Sequence, residues 1–110
     1  MYKNDRRMFD RFEVDFPAEI KFMGAPERVF TQCCDISAGG VGLYVDEKLI
    51  PDISLEVWLS IPDGYPPFHS FARVVWSKQV QEDKWRAGLE FKTVDFMGVR
   101  RVLQIMPKNG

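Results

Sequence analysis

The sequence predicts a mainly all-β protein: a six-stranded antiparallel barrel, plugged at one end by a C-terminal α-helix and preceded by a flexible N-terminal arm. Three observations predict it. Apolar and polar residues alternate with a period of two through most of residues 12–91. Clusters rich in Gly, Pro and Asp interrupt the alternation. After residue 94 the apolar period lengthens to that of a helix. Six short strands with short connections favour closure, because a closed barrel leaves no sheet edge open.

The first strand runs over 12–22. Phe12, Val14, Phe16, Ala18, Ile20 and Phe22 fall on one face, with Glu13, Asp15, Glu19 and Lys21 opposite. Pro17 donates no ladder hydrogen bond and marks an edge or a bulge. Met23-Gly24-Ala25-Pro26 is a turn. The second strand spans 27–36, with Phe30, Gln32, Cys34 and Ile36 alternating against Val29, Thr31 and Cys33, and Ala38-Gly39-Gly40 ends it. Val41, Leu43 and Val45 open the third. The fourth sets Ile53, Leu55, Val57, Leu59 and Ile61 against Ser54, Glu56, Trp58 and Ser60. Residues 62–67 are loop chemistry, where Pro fixes φ and Gly admits positive φ. The fifth strand, Phe68 to Val80, turns back through Gln81–Lys84 into a sixth carrying Trp85, Ala87, Leu89 and Phe91 on one face. Phe96, Val99, Leu103 and Met106 then form a helical stripe, with Asp95 as N-cap and Gly98 as a local weakness of about 1 kcal/mol. The expected organisation is one domain over 1–110, with an arm at 1–11, a barrel at 12–92 and a helix at 95–106.

Composition narrows the function. The 110 residues are 45% hydrophobic and 28% charged, an ordinary globular balance, and nine Phe, three Tyr and three Trp can build a core. No apolar run approaches the ~20 residues that span a bilayer, so no membrane insertion is expected. Residues 1–11 are polar where a signal peptide would be apolar. Cys33 and Cys34 are adjacent, and pairing them would strain the backbone. Two Cys with the single His69 do not make an ordinary zinc site. The expectation is a reduced, cytoplasmic, metal-free domain. No nucleophile–base pair, P-loop or dinucleotide fingerprint is present, so the sequence offers no enzyme. The net charge of −1 is unevenly spread: residues 1–11 carry +2, residues 97–110 carry +3, and the body between them −6. An acidic body argues against binding a nucleic acid polymer.

Two segments carry recognition chemistry. In Arg6-Arg7-Met8-Phe9-Asp10-Arg11, Arg7 and Arg11 stand four apart, on one side of the backbone whether it is helical or extended. Two guanidiniums on one side suit an anion with several acceptor edges. In Asp35-Ile36-Ser37-Ala38-Gly39-Gly40, an Asp and a Ser two apart on an extended chain project to the same side. A carboxylate accepts parallel N–H bonds such as the edge of guanine presents, and Gly39 and Gly40 let a ligand approach the backbone. The alternative is that Asp35 and Ser37 only shape a turn.

Taken together, the two segments resemble the PilZ domain, a bacterial receptor module for cyclic di-GMP. Arg7-x-x-x-Arg11 and Asp35-x-Ser37-x-x-Gly40 match its signature in order and spacing. Gly40-Val41-Gly42-Leu43 resembles its entry to strand three. Ala72-Arg73-Val74-Val75-Trp76 with Ala87-Gly88-Leu89-Glu90-Phe91 resembles its later hairpin. The resemblance implies that Arg7 and Arg11 bind the phosphates and guanines of cyclic di-GMP. It implies that Asp35 and Ser37 read a guanine edge, and that Gly39 and Gly40 keep the turn open. Arg6 is a third phosphate contact, which in this family goes with a stacked ligand dimer. Trp76 either stacks on a guanine at the rim or packs inward with Ala72 and Val74. Arg100 and Arg101 sit together on the polar side of the helix. The implied protein is a stand-alone effector whose arm is ordered by cyclic di-GMP and which signals in trans to an unidentified protein. The alternative is a ligand-free adaptor of the same fold.

Overall fold

The computed structural model describes residues 9–106. Six strands follow in order: β1 Phe12–Phe22, β2 Val29–Ile36, β3 Gly40–Val45, β4 Ser54–Leu59, β5 Phe68–Gln81 and β6 Lys84–Phe91; the helix α1, Phe96–Ile105, comes last. The strands close into a barrel in the order β1-β2-β3-β6-β5-β4, and every neighbouring pair is antiparallel. A bulge explains how Pro17 is tolerated in a closed sheet. The proline pairs with Gln32 directly after an irregularity in the β1–β2 register, and its carbonyl accepts from the Ser60 amide at 2.9 Å.

The alternating apolar residues fill the interior. Ala18, Ile20, Leu43, Leu55, Val57, Leu59, Val74 and Leu89 are almost wholly enclosed, and burial of this kind supplies the main drive to fold. Two strands depart from the simple alternation. In β2 the register slips between Cys33 and Asp35 against β3. A bulge of this kind places two residues opposite one and re-aims the side chains beyond it. Cys33 therefore faces the core, Cys34 is half-buried, and Asp35, Ile36 and Ser37 are all buried. Phe30, at the far end of the same strand, is 81% exposed. In β5 the register slips between Val74 and Trp76, so Trp76 does not share the inward face of Ala72 and Val74.

Helix α1 closes the end of the barrel where β2 finishes and β5 starts. Asp95 caps it, its carboxylate accepting from the Met97 amide at 3.0 Å, while its own amide donates to the Ala38 carbonyl at 2.9 Å. The inward residues are Gly98, Val99 and Val102. The expected stripe of Phe96, Val99, Leu103 and Met106 is thus rotated, since Phe96 and Met106 are exposed. Gly98 sets the rotation: a Cβ there would stand 3.1 Å from both Ile36 and Phe68, so the helix settles on its bare backbone. Arg100 and Arg101 also part company. Arg100 is exposed. Arg101 grips Asp63 with two bonds, Nε to Oδ2 at 2.6 Å and Nη2 to Oδ1 at 2.7 Å, and ties α1 to the β4–β5 loop. No helix among the described residues is long and apolar enough to cross a membrane.

Candidate ligand-binding site

Asp35 lies beside the β2 bulge at the β2–β3–β6 seam, where it is 6% exposed. A carboxylate so enclosed needs counter-charge and hydrogen bonds. Arg86 of β6, 51 residues away in sequence, donates from Nη2 to Oδ2 at 2.7 Å, and this bond holds the guanidinium above its ordinary pKa. Arg11 approaches from the other side, its Nη1 standing 3.4 Å from Oδ1 and 3.5 Å from the Ser37 hydroxyl. Glycine provides the room. The carboxylate lies across Gly42 of β3, where a Cβ would fall 2.3 Å from Oδ2.

Ser37 is buried beside it. Its hydroxyl accepts from the Gly39 amide at 3.2 Å, and its amide donates to the Gly40 carbonyl at 2.9 Å. The turn residues Asp35 and Ser37 thus shape the β2–β3 corner and also present polar atoms beside the arm. The glycines there act by closeness, since neither Gly39 nor Gly40 has positive φ. A Cβ on Gly40 would fall 2.0 Å from the Leu89 carbonyl oxygen, so Gly40 lets β3 press against β6.

Arg11, Ser37, Gly39, Gly40 and Trp76 all line one cleft of about 440 Å³, with Phe9, Val75, Gly88, Leu89 and Glu90 completing its wall. The β5 bulge overturns one of the two readings of Trp76, inward packing with Ala72 and Val74. The Trp76 indole lies outside the barrel over Gly88, 40% exposed, and a Cβ on Gly88 would meet its Nε1 at 2.3 Å. An aromatic plane at a cleft rim is a platform for a flat heterocycle. Phe9 joins the cleft to the helix, its ring meeting Phe96 edge-on at a centroid distance of 5.4 Å. Arg6 and Arg7 lie outside the described residues.

Sequence reasoning missed Arg86, Phe9 and Gly88. Period-two alternation places Arg86 on the outer face of its strand, but only the pairing of β3 with β6 brings it to Asp35. The cysteines beside the site hold their protons: burial pushes the Cys33 thiol up to about 12 and raises that of Cys34. A second cleft of about 640 Å³, between Phe30–Gln32, Tyr44–Asp46 and the β5–β6 turn, contains none of the motif residues. Among the described residues no three His, Cys, Asp or Glu side chains gather as metal ligands.

Comparison with known proteins agrees with this architecture. The PilZ domain of YcgR from Escherichia coli, solved with c-di-GMP, superposes with a TM-score of 0.69 at 15% identity, covering 90% of this chain and 89% of that one. The Bacillus subtilis inhibitor of motility MotI/DgrA gives a TM-score of 0.65 at 18% identity over 88% of this chain, which spans about half (51%) of that protein. The K. pneumonia MrkH–c-di-GMP complex gives 0.63 at 21% identity, covering 86% of this chain and 47% of that one. At such identities the likeness is one of fold. No curated protein matches in sequence. The family model described as "PilZ domain" matches residues 5–105, nearly the whole chain, and the chain belongs to that family.

Proposed function

We propose that this chain is a cyclic di-GMP receptor that acts as an effector, not as a catalyst. The observation that carries the reading is the convergence of Arg11, Ser37, Gly39, Gly40 and Trp76 on one cleft, with Asp35 enclosed behind it. These residues come from the arm, the β2–β3 corner and β5, and they offer the three kinds of contact that a cyclic dinucleotide requires. A guanidinium suits a phosphate, a carboxylate with a hydroxyl suits a guanine edge, and an aromatic plane suits a base face. Membership of the PilZ family, and the c-di-GMP bound in the YcgR and MrkH structures, support the same ligand.

In this reading Arg7 and Arg11 hold the phosphates, Asp35 and Ser37 read a guanine, and Trp76 stacks on a base. Arg6 adds a third cation that favours a stacked pair of ligands. Residues 1–110 work as one domain in which the ligand fixes the arm, 1–11, across the cleft. The change is an order–disorder switch driven by differential affinity for two arm states. A protein partner reads the resulting surface, and the Phe9–Phe96 contact lies between arm and helix for that purpose.

Isothermal titration with cyclic di-GMP, with GTP and cyclic di-AMP as controls, tests the proposal. Saturable heat with cyclic di-GMP alone is expected, and two ligands per chain would assign Arg6 its role. Absence of heat, together with unchanged NMR signals from Phe9 and Arg11, would replace the receptor with a ligand-free protein adaptor.

A further inference from the structure

The geometry points to Arg86 as a positioning residue for ligand recognition: it holds Asp35 by one carboxylate oxygen and leaves the other for the ligand. This inference rests on the cyclic di-GMP reading above and names a residue outside both sequence motifs.

Among the described residues Asp35 has two arginine neighbours, and they differ in kind. Arg86 sits within a strand, paired with Tyr44 on one side and Lys78 on the other, and its Nη2–Oδ2 bond is 2.7 Å. Arg11 precedes β1, its side chain is half exposed, and its 3.4 Å approach to Oδ1 makes no hydrogen bond. Among the described residues the buried Oδ1 has no partner, and neither has the buried Nε of Arg86. The Asp35 carboxylate is enclosed, whereas the Arg86 side chain is 39% exposed with its Nε shielded, and shielded polar atoms of this kind are nearly always satisfied.

The Arg101–Asp63 pair of the same molecule shows what a purely structural arginine does. It uses Nε and Nη2 as a fork and occupies both carboxylate oxygens. Arg86 could satisfy its own Nε by the same fork, but that would fill Oδ1. Instead it binds end-on. Gly42 beneath the carboxylate fixes Oδ2 against bare backbone. Oδ1 is thereby held next to Arg11 and Ser37, both of which line the cleft.

Arg86 also solves a charge problem. When Arg11 turns to a phosphate, Asp35 loses one of its two counter-charges. A buried carboxylate stripped of both would be strongly disfavoured. Arg86, fixed on β6, stays in place while Oδ1 accepts a guanine N–H.

A double-mutant cycle tests this by titrating cyclic di-GMP into the wild-type chain, R86A, R86K, D35A and R86A/D35A, with circular dichroism melts of each. R86A is expected to weaken binding about 10-fold or more, the usual effect of losing a charged hydrogen bond. R86K, which can also make one end-on contact, should recover most of that loss. In the D35A background, removing Arg86 should cost nothing further. R86Q replaces R86A if the latter melts early. Full affinity in R86A, or an equal loss with and without Asp35, would overturn the assignment while the receptor reading stands. A wild-type chain that takes up no cyclic di-GMP would remove the receptor reading itself, and this role with it.

Discussion

On the wall made by β1, β4 and β5, Arg28 covers the Trp58 ring at 3.7 Å, Trp58 packs on His69 at 4.9 Å, and His69 meets Phe71 edge-on at 5.1 Å. Glu56 lies 2.9 Å from His69 Nε2 and 4.0 Å from Lys21, and Glu19 lies 3.9 Å from Arg28. β4 pairs with both neighbours without a register shift. At the β2–β3–β6 seam, with β5 beside it, two bulges re-aim Asp35 and Trp76, three glycines thin the backbone, and the Asp35–Arg86 pair keeps two shielded atoms without partners among the described residues. Both regions combine aromatics with charges. The first directs its groups at one another and is a finished surface. The second leaves shielded polar atoms unpaired beside a cleft, and such incompleteness is the mark of a site for something else.

The largest expected effect breaks the open side. Arg11→Ala should weaken cyclic di-GMP about 10- to 100-fold by titration calorimetry, the range for a lost charged hydrogen bond, with its melting temperature nearly unchanged. A variant that unfolds instead would make Arg11 structural and erase the contrast.

Asp63→Asn sharpens the contrast from the closed side. The Arg101 fork holds the Asp63 carboxyl down to about 2, below its ordinary 3.8. Protons therefore favour the unfolded chain, and the stabilisation is full above about pH 4 and fades as pH falls towards 2. Melting curves should show Asp63→Asn below the wild type at pH 7 and converging with it near pH 2, while ligand affinity at pH 7 is retained.

Gly88→Ala adds a Cβ where the Trp76 indole lies and should drive the ring off its seat. Losing a stacking contact of about 0.5–1.5 kcal/mol predicts about two- to tenfold weaker binding, and the change in tryptophan fluorescence on titration should shrink. The smallest effect belongs to the finished wall. Trp58→Ala should leave affinity within about twofold and lower stability by about 1 kcal/mol beyond the lost packing, as expected of one cation–π contact. A large loss of binding from that wall would mean that the two regions are coupled.

The strands, the hairpin of the last two and the helix were legible because they follow from local rules. Leu55, Val57 and Leu59 face inward as alternation requires, and Asp95 caps α1 as its position before the helical period requires. The two motifs were legible as motifs. Their geometry was less so: the sequence assigns the glycines after Ser37 to close approach of a ligand, whereas Gly40 serves the contact between two strands.

By itself the sequence determined a barrel with a terminal helix and an Asp-Ser pair at the end of the second strand. Tertiary structure alone decided that Phe30 points out while Cys33 points in, that Trp76 lies flat outside the barrel, that Arg86 meets Asp35, and that Gly98 rather than Phe96 faces the core. The reason is physical. Alternation is a property of one strand, but a bulge is a mismatch between two, and one extra residue reverses the face of every side chain after it. A pair 51 residues apart exists only once the seam has closed.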